Sequence, residues 1–330
     1  MSPNSLSASV LEIDCAAEVE KIAATVRNAL RTRFRRRGLV IAMSGGIDSS
    51  TVAALCVKAV GKDRVFGLHM PERDSSDDTL RLSTMLAEHL QIDSAHEDIT
   101  PVLEGVGCYR RRNEAVKSVI PQFAPDWKFK IVLPSIMEDD SYRIFSVVAQ
   151  SPDGRVVKAR LSPKAYLAIV AATNFKQRIR KMLEYYHADR LNYAATGTPN
   201  RLEYDQGFFV KLGDGAADIK PIAHLYKTQV YALAKHLGLP DEICSRPPTT
   251  DTYSMPQSQE EFYFSLPYDK MDLCLYAKNH GLSPDETAPA VNLTARQVQR
   301  VYNDIDQKRK TTRYLHLKPL LIENVAEITA

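Results

Sequence analysis

The sequence lacks most features that mark secreted, zinc-binding or membrane-spanning proteins. Its five cysteines are scattered and include no C-x-x-C pair, which argues against a disulfide framework or a zinc ribbon. The eight histidines form no H-E-x-x-H or H-x-x-x-H pattern, so we predict no zinc site. No window approaches the roughly 20 apolar residues of a membrane span, and the first residues lack the basic and apolar stretches of a secretory leader. These absences predict a cytoplasmic protein without a membrane segment.

An excess of charge of one sign is also missing. The 43 basic and 40 acidic residues leave a net charge of +3 over 330 residues. This balance gives no reason to expect nucleic acid or a membrane surface as a partner. The run RTRFRRR at residues 31–37 is locally basic. Because cations are favoured near the C-terminal end of a helix, we interpret this run as a solvated helix end.

Strand-like apolar runs alternate with helical patterns over the first hundred residues. Residues 39–42, 64–70 and about 94–98 have strand patterns, and residues 50–60 and about 76–90 have helical patterns. Short continuous apolar runs are typical of strands that are buried on both faces of a parallel sheet. With right-handed crossovers, this order predicts an α/β fold with a doubly wound parallel sheet.

The alternation is lost between about residues 105 and 170, and we predict an insertion at about 127–170 within this stretch. There the segments YRIFSVVAQ, SPDG and RVVKARL predict a β-hairpin insertion around a Pro-Asp-Gly turn. Strand and helix patterns then resume as far as the proline-rich RPPTTDTYSMPQ, after which residues 255–330 have helical patterns. We therefore predict one α/β domain over residues 1–330, with this insertion and a helical C-terminal appendage.

The segment SGGIDSS at residues 44–50 lies between a predicted strand and a predicted helix. Gly45 and Gly46 allow the backbone to approach a ligand closely, and the free N–H groups and the helix dipole favour a bound phosphate. The hydroxyl donors of the segment are Ser44, Ser49 and Ser50. Asp48 would repel phosphate unless a cation lies between them, so we interpret Asp48 as a Mg²⁺ ligand. The loop therefore predicts a site for metal-bound phosphate.

Two common nucleotide-binding motifs are absent. No GxxxxGK[ST] loop occurs, and GDGAAD at residues 213–218 does not match the GxGxxG dinucleotide fingerprint. Kinase and dehydrogenase interpretations therefore have no support. The alternative interpretation of SGGIDSS is a tight strand-to-helix turn with a capping serine or aspartate.

SGGIDSS resembles the pyrophosphate loop of the PP-loop superfamily of ATP pyrophosphatases, whose fold is adenine nucleotide alpha hydrolase-like. Three further segments resemble the ammonia-dependent NAD synthetase family in order and spacing: NFKQRIRKMLEYY, GTPNRLEYDQGFFVKLGDGAADIKPIAHLYKTQVYALAKHLGLP and RPPTTD. The similarity covers most of residues 10–105 and 172–310. It implies a ligase that adenylates the carboxylate of deamido-NAD with Mg-ATP, releases pyrophosphate, and amidates the adenylate with ammonia to give NAD and AMP.

The resemblance also implies roles for individual residues. The implied ATP contacts are Ser44, Gly45, Gly46, Ile47, Asp48, Ser49, Ser50, Thr198, Lys227 and Thr249. Among them, Asp48, Lys227 and Thr249 would act in catalysis, with Lys227 and Thr249 stabilising charge at the α-phosphorus. Asp48 and Glu203 would hold Mg²⁺. The implied deamido-NAD contacts are Arg178, Lys211, Asp218, Gln307 and Lys308.

The resemblance further implies a homodimer with substrate sites near the subunit interface. Ammonia is the nucleophile in this chemistry, so a Cys–His or Ser–His arrangement is not expected. The chain leaves no room for a glutaminase domain. We therefore expect the nitrogen source to be free ammonia or a separate protein that delivers it.

Three departures from the family pattern leave the acid substrate open. Pro199 precedes Asn200 and Arg201 after the Gly-Thr pair, the stretch from about 120 to 170 is longer than usual, and Gln307 stands where a histidine is common. These departures motivate an alternative, a PP-loop ligase that adenylates a different carboxylate.

Two other functions have weaker support. A tRNA-thiolating enzyme is disfavoured, because no reactive cysteine pair or RNA-binding module is visible. A non-catalytic, nucleotide-sensing DNA-binding regulator would use TARQVQRVYNDIDQKRK as its reading helix. The apolar stripe of that helix is explained more simply by core packing.

Overall fold

The computed structural model describes residues 6–133, 144–248, 252–264 and 266–328. Their strands are β1 Leu39–Ala42, β2 Val65–His69, β3 Asp93–His96, β4 Lys128–Val132, β5 Ser146–Gln150, β6 Val156–Arg160 and β7 Ala194–Thr196. Their α-helices are α1 Cys15–Asn28, α2 Ile47–Val60, α3 Asp77–Leu90, α4 Thr100–Gly105, α5 Cys108–Lys117, α6 Pro163–Leu191, α7 Arg201–Gln206, α8 Lys227–His236, α9 Asp241–Ser245, α10 Tyr268–Asn279, α11 Pro284–Val291 and α12 Ala295–His316.

The central sheet is parallel and has the strand order β3-β2-β1-β7. Successive residues of β1 point to opposite faces, as the two-residue period of a strand requires. Leu39 and Ile41 join the core formed with α1, α2 and α8. Val40 instead joins the core formed with α4, α5 and α6. Helices therefore cover both faces of the sheet, which confirms the predicted doubly wound α/β fold.

A second, antiparallel sheet has the order β4-β5-β6 and packs on the first half of α6. The predicted hairpin is confirmed as β5 and β6, joined by a turn in which Gly154 has a φ of +87° and donates its N–H to the Ser151 carbonyl. Residues 142 and 143 of the predicted hairpin lie outside the described residues. Strand β4 was not predicted. It is the third strand of this sheet and lies at its edge. We call the side of β4 that faces away from β5 its outer edge.

The helices α10, α11 and α12 form a third core that closes over α7 and α8. Val298, Val301 and Ile305 of α12 are fully buried in it, as their stripe predicts. Asp272 of α10 accepts hydrogen bonds from the backbone N–H groups of Lys227, at 3.2 Å, and of Thr228, at 2.7 Å. These bonds satisfy two free donors of the first turn of α8. The C-terminal helices thus fix where α8 begins.

Within the described ranges, no helix is both long enough and apolar enough to cross a membrane.

Candidate functional site

The loop between β1 and α2 has the geometry of an anion site. Gly45 has a φ of +69°, and a Cβ at this position would approach the Leu82 Cβ to 2.7 Å, so a glycine is required here. Gly46 caps α2, and its carbonyl accepts hydrogen bonds from the Ser49 hydroxyl at 3.1 Å and the Ser50 hydroxyl at 2.8 Å. These bonds hold the loop closed while the first turn of α2 points its backbone N–H groups outward.

A cavity of about 710 Å³ lies at the carboxyl ends of β1, β2 and β7. Ligands of open parallel sheets bind at this edge. The predicted site residues in its lining are Ser44, Gly46, Ile47, Asp48, Ser49, Thr198, Glu203, Lys227 and Lys308. Gly45 and Ser50 lie in the loop but are not part of the lining. Thr249 lies outside the described residues.

The lining of the cavity includes a buried lysine that pairs with one carboxylate and is influenced electrostatically by a second. Lys227 is only 2% exposed and forms a short ion pair with Asp48. The Asn200 side-chain amide donates to the other Asp48 oxygen at 3.1 Å. Asn200 also forms a capping box with Glu203 at the start of α7, with both bonds between 3.1 and 3.2 Å. The cap therefore connects the loop aspartate to the glutamate of the next element.

Electrostatics couples these groups. Burial and the nearby Asp48 carboxylate raise the pKa of Glu203 to about 8, although Lys227 acts in the opposite direction. Burial alone would lower the pKa of Lys227, but Asp48 and Glu203 together raise it. One lysine thus neutralises two carboxylates incompletely. A further cation in the cavity would lower the pKa of Glu203.

These carboxylates fit Mg²⁺. In the part of the chain that the structure describes, no group of three His, Cys, Asp or Glu side chains could hold a metal ion. Mg²⁺ is commonly bound by one or two carboxylates, with phosphate oxygens and water filling its remaining positions. Asp48 and Glu203 would hold the ion in this way. When bound, it would neutralise charge on the phosphates.

The lining of the cavity also includes aromatic side chains. Phe145 and Tyr166 are stacked with ring centroids 4.4 Å apart, and Tyr253 and Phe262 also line the cavity. Flat apolar surfaces of this kind suit planar heterocycles. The lining of the cavity therefore combines the glycine loop with aromatic surfaces of a kind that suits a nucleobase or a pyridine ring.

The predicted deamido-NAD contacts fall into two groups. Lys308 lines the cavity and donates to the Tyr263 carbonyl at 2.6 Å. Arg178, Lys211 and Asp218 lie outside the lining, and Arg178 Nε donates to the Lys211 carbonyl at 3.3 Å. Gln307 is exposed on α12. Within one chain, the structure therefore does not gather these five residues into a single pocket.

A buried ionic cluster beside the cavity was not predicted. Lys176 of α6 is 2% exposed and donates to Glu72 and to Asp74, each at 2.7 Å. Tyr109 donates to Glu72 at 2.7 Å, and Arg112 forms a short ion pair with Asp74. Burial alone would raise the pKa of Asp74, but the Lys176 and Arg112 cations hold it below its ordinary value. Three distant segments supply these groups, so no local sequence pattern indicates the cluster.

The sequence is similar to known proteins of one family. A family model described as NAD synthase matches residues 18–118 and 142–314. The NH(3)-dependent NAD(+) synthetase of Rhizobium meliloti (strain 1021) is 59% identical over 322 residues, which are 98% of this chain and 96% of the relative. The NH(3)-dependent NAD(+) synthetase of Mesorhizobium japonicum is 58% identical over 96% of this chain and 100% of the relative.

Solved structures share the fold. The NMN synthetase from Francisella tularensis aligns with a TM-score of 0.64 at 22% identity, over 94% of this chain and 99% of that chain. The NH3-dependent NAD synthetase from Campylobacter jejuni aligns with a TM-score of 0.61 at 22% identity, over 94% of this chain and 100% of that chain. Because the family model spans most of the sequence and relatives more than half identical cover nearly all of it, this chain belongs to the NAD synthase family.

Proposed function

We propose that this chain is an ammonia-dependent NAD synthetase that adenylates deamido-NAD with Mg-ATP and amidates it with ammonia. The observation that carries the proposal is the buried Lys227, which pairs with Asp48 of the glycine loop and is influenced electrostatically by Glu203 at the carboxyl edge of the sheet. A glycine loop, a buried cation and two carboxylates are suited to cleaving Mg-ATP. The choice of deamido-NAD as the acid substrate rests on the similarity to NAD synthetases.

In the first step, a substrate carboxylate oxygen attacks the α-phosphorus of ATP, and pyrophosphate leaves. The N–H groups at the start of α2 and the Ser44 and Ser49 hydroxyls bind the departing pyrophosphate. Lys227 stabilises the negative charge that develops on the phosphates. Asp48 holds the Lys227 ammonium in place, so little reorganisation is needed as that charge develops.

In the second step, the nitrogen lone pair of ammonia attacks the carbonyl carbon of the acyl-adenylate. The bond from that carbon to the AMP phosphate oxygen breaks, and the excess proton passes to solvent. No side-chain nucleophile takes part. The nitrogen reaches the site as free ammonia or through a separate delivering protein. The five free thiols agree with a reducing cytoplasm as its compartment.

The test is an assay with Mg-ATP, ammonium and deamido-NAD in which NAD, AMP and pyrophosphate are measured together. We expect the three products in equal amounts, and none when any one substrate is omitted. The mononucleotide half of deamido-NAD should be offered separately as a competing acid. If it were amidated faster than deamido-NAD, the alternative ligase with a different carboxylate substrate would replace this proposal.

We further propose that the enzyme is a homodimer that uses the outer face of α6. Leu167, Met182 and Tyr186 are between 53% and 63% exposed on this helix, and Met182 and Tyr186 share a helical face with Arg178. An interface here would cover apolar surface and bring a second chain to Arg178. We expect the protein to sediment as a dimer and Met182→Glu to shift it towards the monomer. A monomeric wild type would contradict this proposal.

A further inference from the structure

The segment 252–259, which includes the second half of the proline-rich stretch, lies along the outer edge of β4. The Phe129 N–H donates to the Ser254 hydroxyl at 2.9 Å, and the Met255 N–H donates to the Phe129 carbonyl at 3.1 Å. Two residues further along β4, the Ile131 carbonyl accepts a 2.6 Å bond from the side-chain amide of Gln257. Alternate residues of β4 are used because only these point their backbone groups away from β5. The insertion sheet thus provides a docking edge for this segment.

The ends of the same segment contact the cavity. At its start, Lys176 donates to the Thr252 carbonyl at 3.0 Å. Tyr253 is 4% exposed, packs against Phe129 with ring centroids 5.3 Å apart, and lines the cavity. At its end, the Gln259 side-chain amide donates to Glu203 at 3.0 Å. The segment therefore connects β4 directly to a carboxylate of the charged centre.

Gln257 contributes the buried side-chain bond of this attachment. Its side chain is buried, with 3% exposure, and its amide oxygen has no hydrogen-bond partner among the described residues. A buried amide oxygen without a partner has a free-energy cost. The Gln257 amide is therefore held in place by the bond that it donates to Ile131.

We propose that the three-stranded insertion sheet positions segment 252–259 so that Gln259 orients Glu203 for the metal ion. Gln259 is a positioning residue in this arrangement, since it acts through Glu203. The part of the inference that concerns Mg²⁺ rests on the proposed function. The attachment of the segment to β4 does not.

Hydrogen exchange tests the attachment. In Gln257→Met, which has a similar shape but no donor, we expect the Met255 amide to exchange about five to ten times faster, as loss of one hydrogen bond allows. The amides of β5 should not change. Lys158→Met is the matched control, because Lys158 is exposed on β6 at the far edge of the sheet. Ser254→Ala provides a milder second variant if circular dichroism shows that Gln257→Met is unfolded. If Gln257→Met or Ser254→Ala were folded and its Met255 amide exchanged at the wild-type rate, the proposed attachment of the segment to β4 would be wrong.

Calorimetry tests the effect on Glu203. We expect Gln259→Met to weaken binding of magnesium pyrophosphate about tenfold, the usual scale for losing a residue that orients a metal ligand. Its exchange rates in segment 252–259 should stay close to those of the wild type. If the wild type itself did not bind magnesium pyrophosphate, the proposed function would be wrong. If the wild type bound it and Gln259→Met bound equally well, only the role of Gln259 would be wrong.

Discussion

Replacing Asp48 with asparagine is expected to lower kcat/KM for ATP by about 10³-fold, the upper range for losing one preorganised electrostatic group. Asparagine keeps the size of the side chain and can still accept the bond from Asn200. It removes the negative charge that holds Lys227 and one of the two carboxylates proposed to bind Mg²⁺. The two losses act on the same step, because both weaken the stabilisation of the phosphates.

The measurement is the rate of pyrophosphate release with saturating deamido-NAD and ammonium. Asp78→Asn is the matched control, since Asp78 is exposed on α3 and forms a surface ion pair with Arg81. Melting curves must accompany the rates, because Asp48→Asn leaves the buried Lys227 ammonium without its ion-pair partner. A folded Asp48→Asn variant that kept more than a tenth of the wild-type kcat/KM would rule out the assigned role.

Replacing Lys176 with methionine is expected to lower the free energy of unfolding by about 3–5 kcal/mol, as for other buried ion pairs that lose one partner. Glu72 and Asp74 would then lie buried, and their remaining side-chain partners among the described residues would be Tyr109 and Arg112. The methionine side chain fills the same space, so the effect comes from uncompensated charge and not from a void.

Urea unfolding followed by circular dichroism measures this change. The control is Lys21→Met, whose ammonium also contacts a carboxylate, Glu18, but is 63% exposed. A surface pair of this kind contributes at most about 1 kcal/mol. If Lys176→Met cost no more than Lys21→Met, the cluster would not be a stabilising element of the fold.

Local sequence patterns correctly predicted the parallel strands and the strand–loop–helix unit that contains the glycine loop. Short apolar strands, the glycine loop and the start of α2 lie within one stretch of chain, so their arrangement depends on neighbouring residues. Asn200 could also have been found, because an asparagine followed three residues later by Glu203 is a capping-box pattern. From the sequence alone Asn200 is only part of a departure from the family pattern, whereas in the structure its side-chain amide donates to Asp48.

Long-range arrangements could not be predicted in this way. Strand β4 has the alternating pattern of a half-buried strand, but its third place in the insertion sheet depends on pairing with β5. The partners of Lys176 come from positions about a hundred residues away. A lysine in a charged amphipathic helix gives no sign that it is buried, because its environment is set by segments that only tertiary packing brings together.

The bonds from Asp272 to the first turn of α8 have a consequence for how such enzymes can be recombined. Lys227 is the first residue of α8, and its backbone is fixed by a side chain that lies 45 residues later on α10. In a chimera of two family members joined between these positions, Lys227 would come from one parent and the carboxylate that accepts its backbone N–H would come from the other. Lys227 and Asp272 therefore belong to one exchangeable block, and a crossover point that keeps both from the same parent should preserve the position of Lys227.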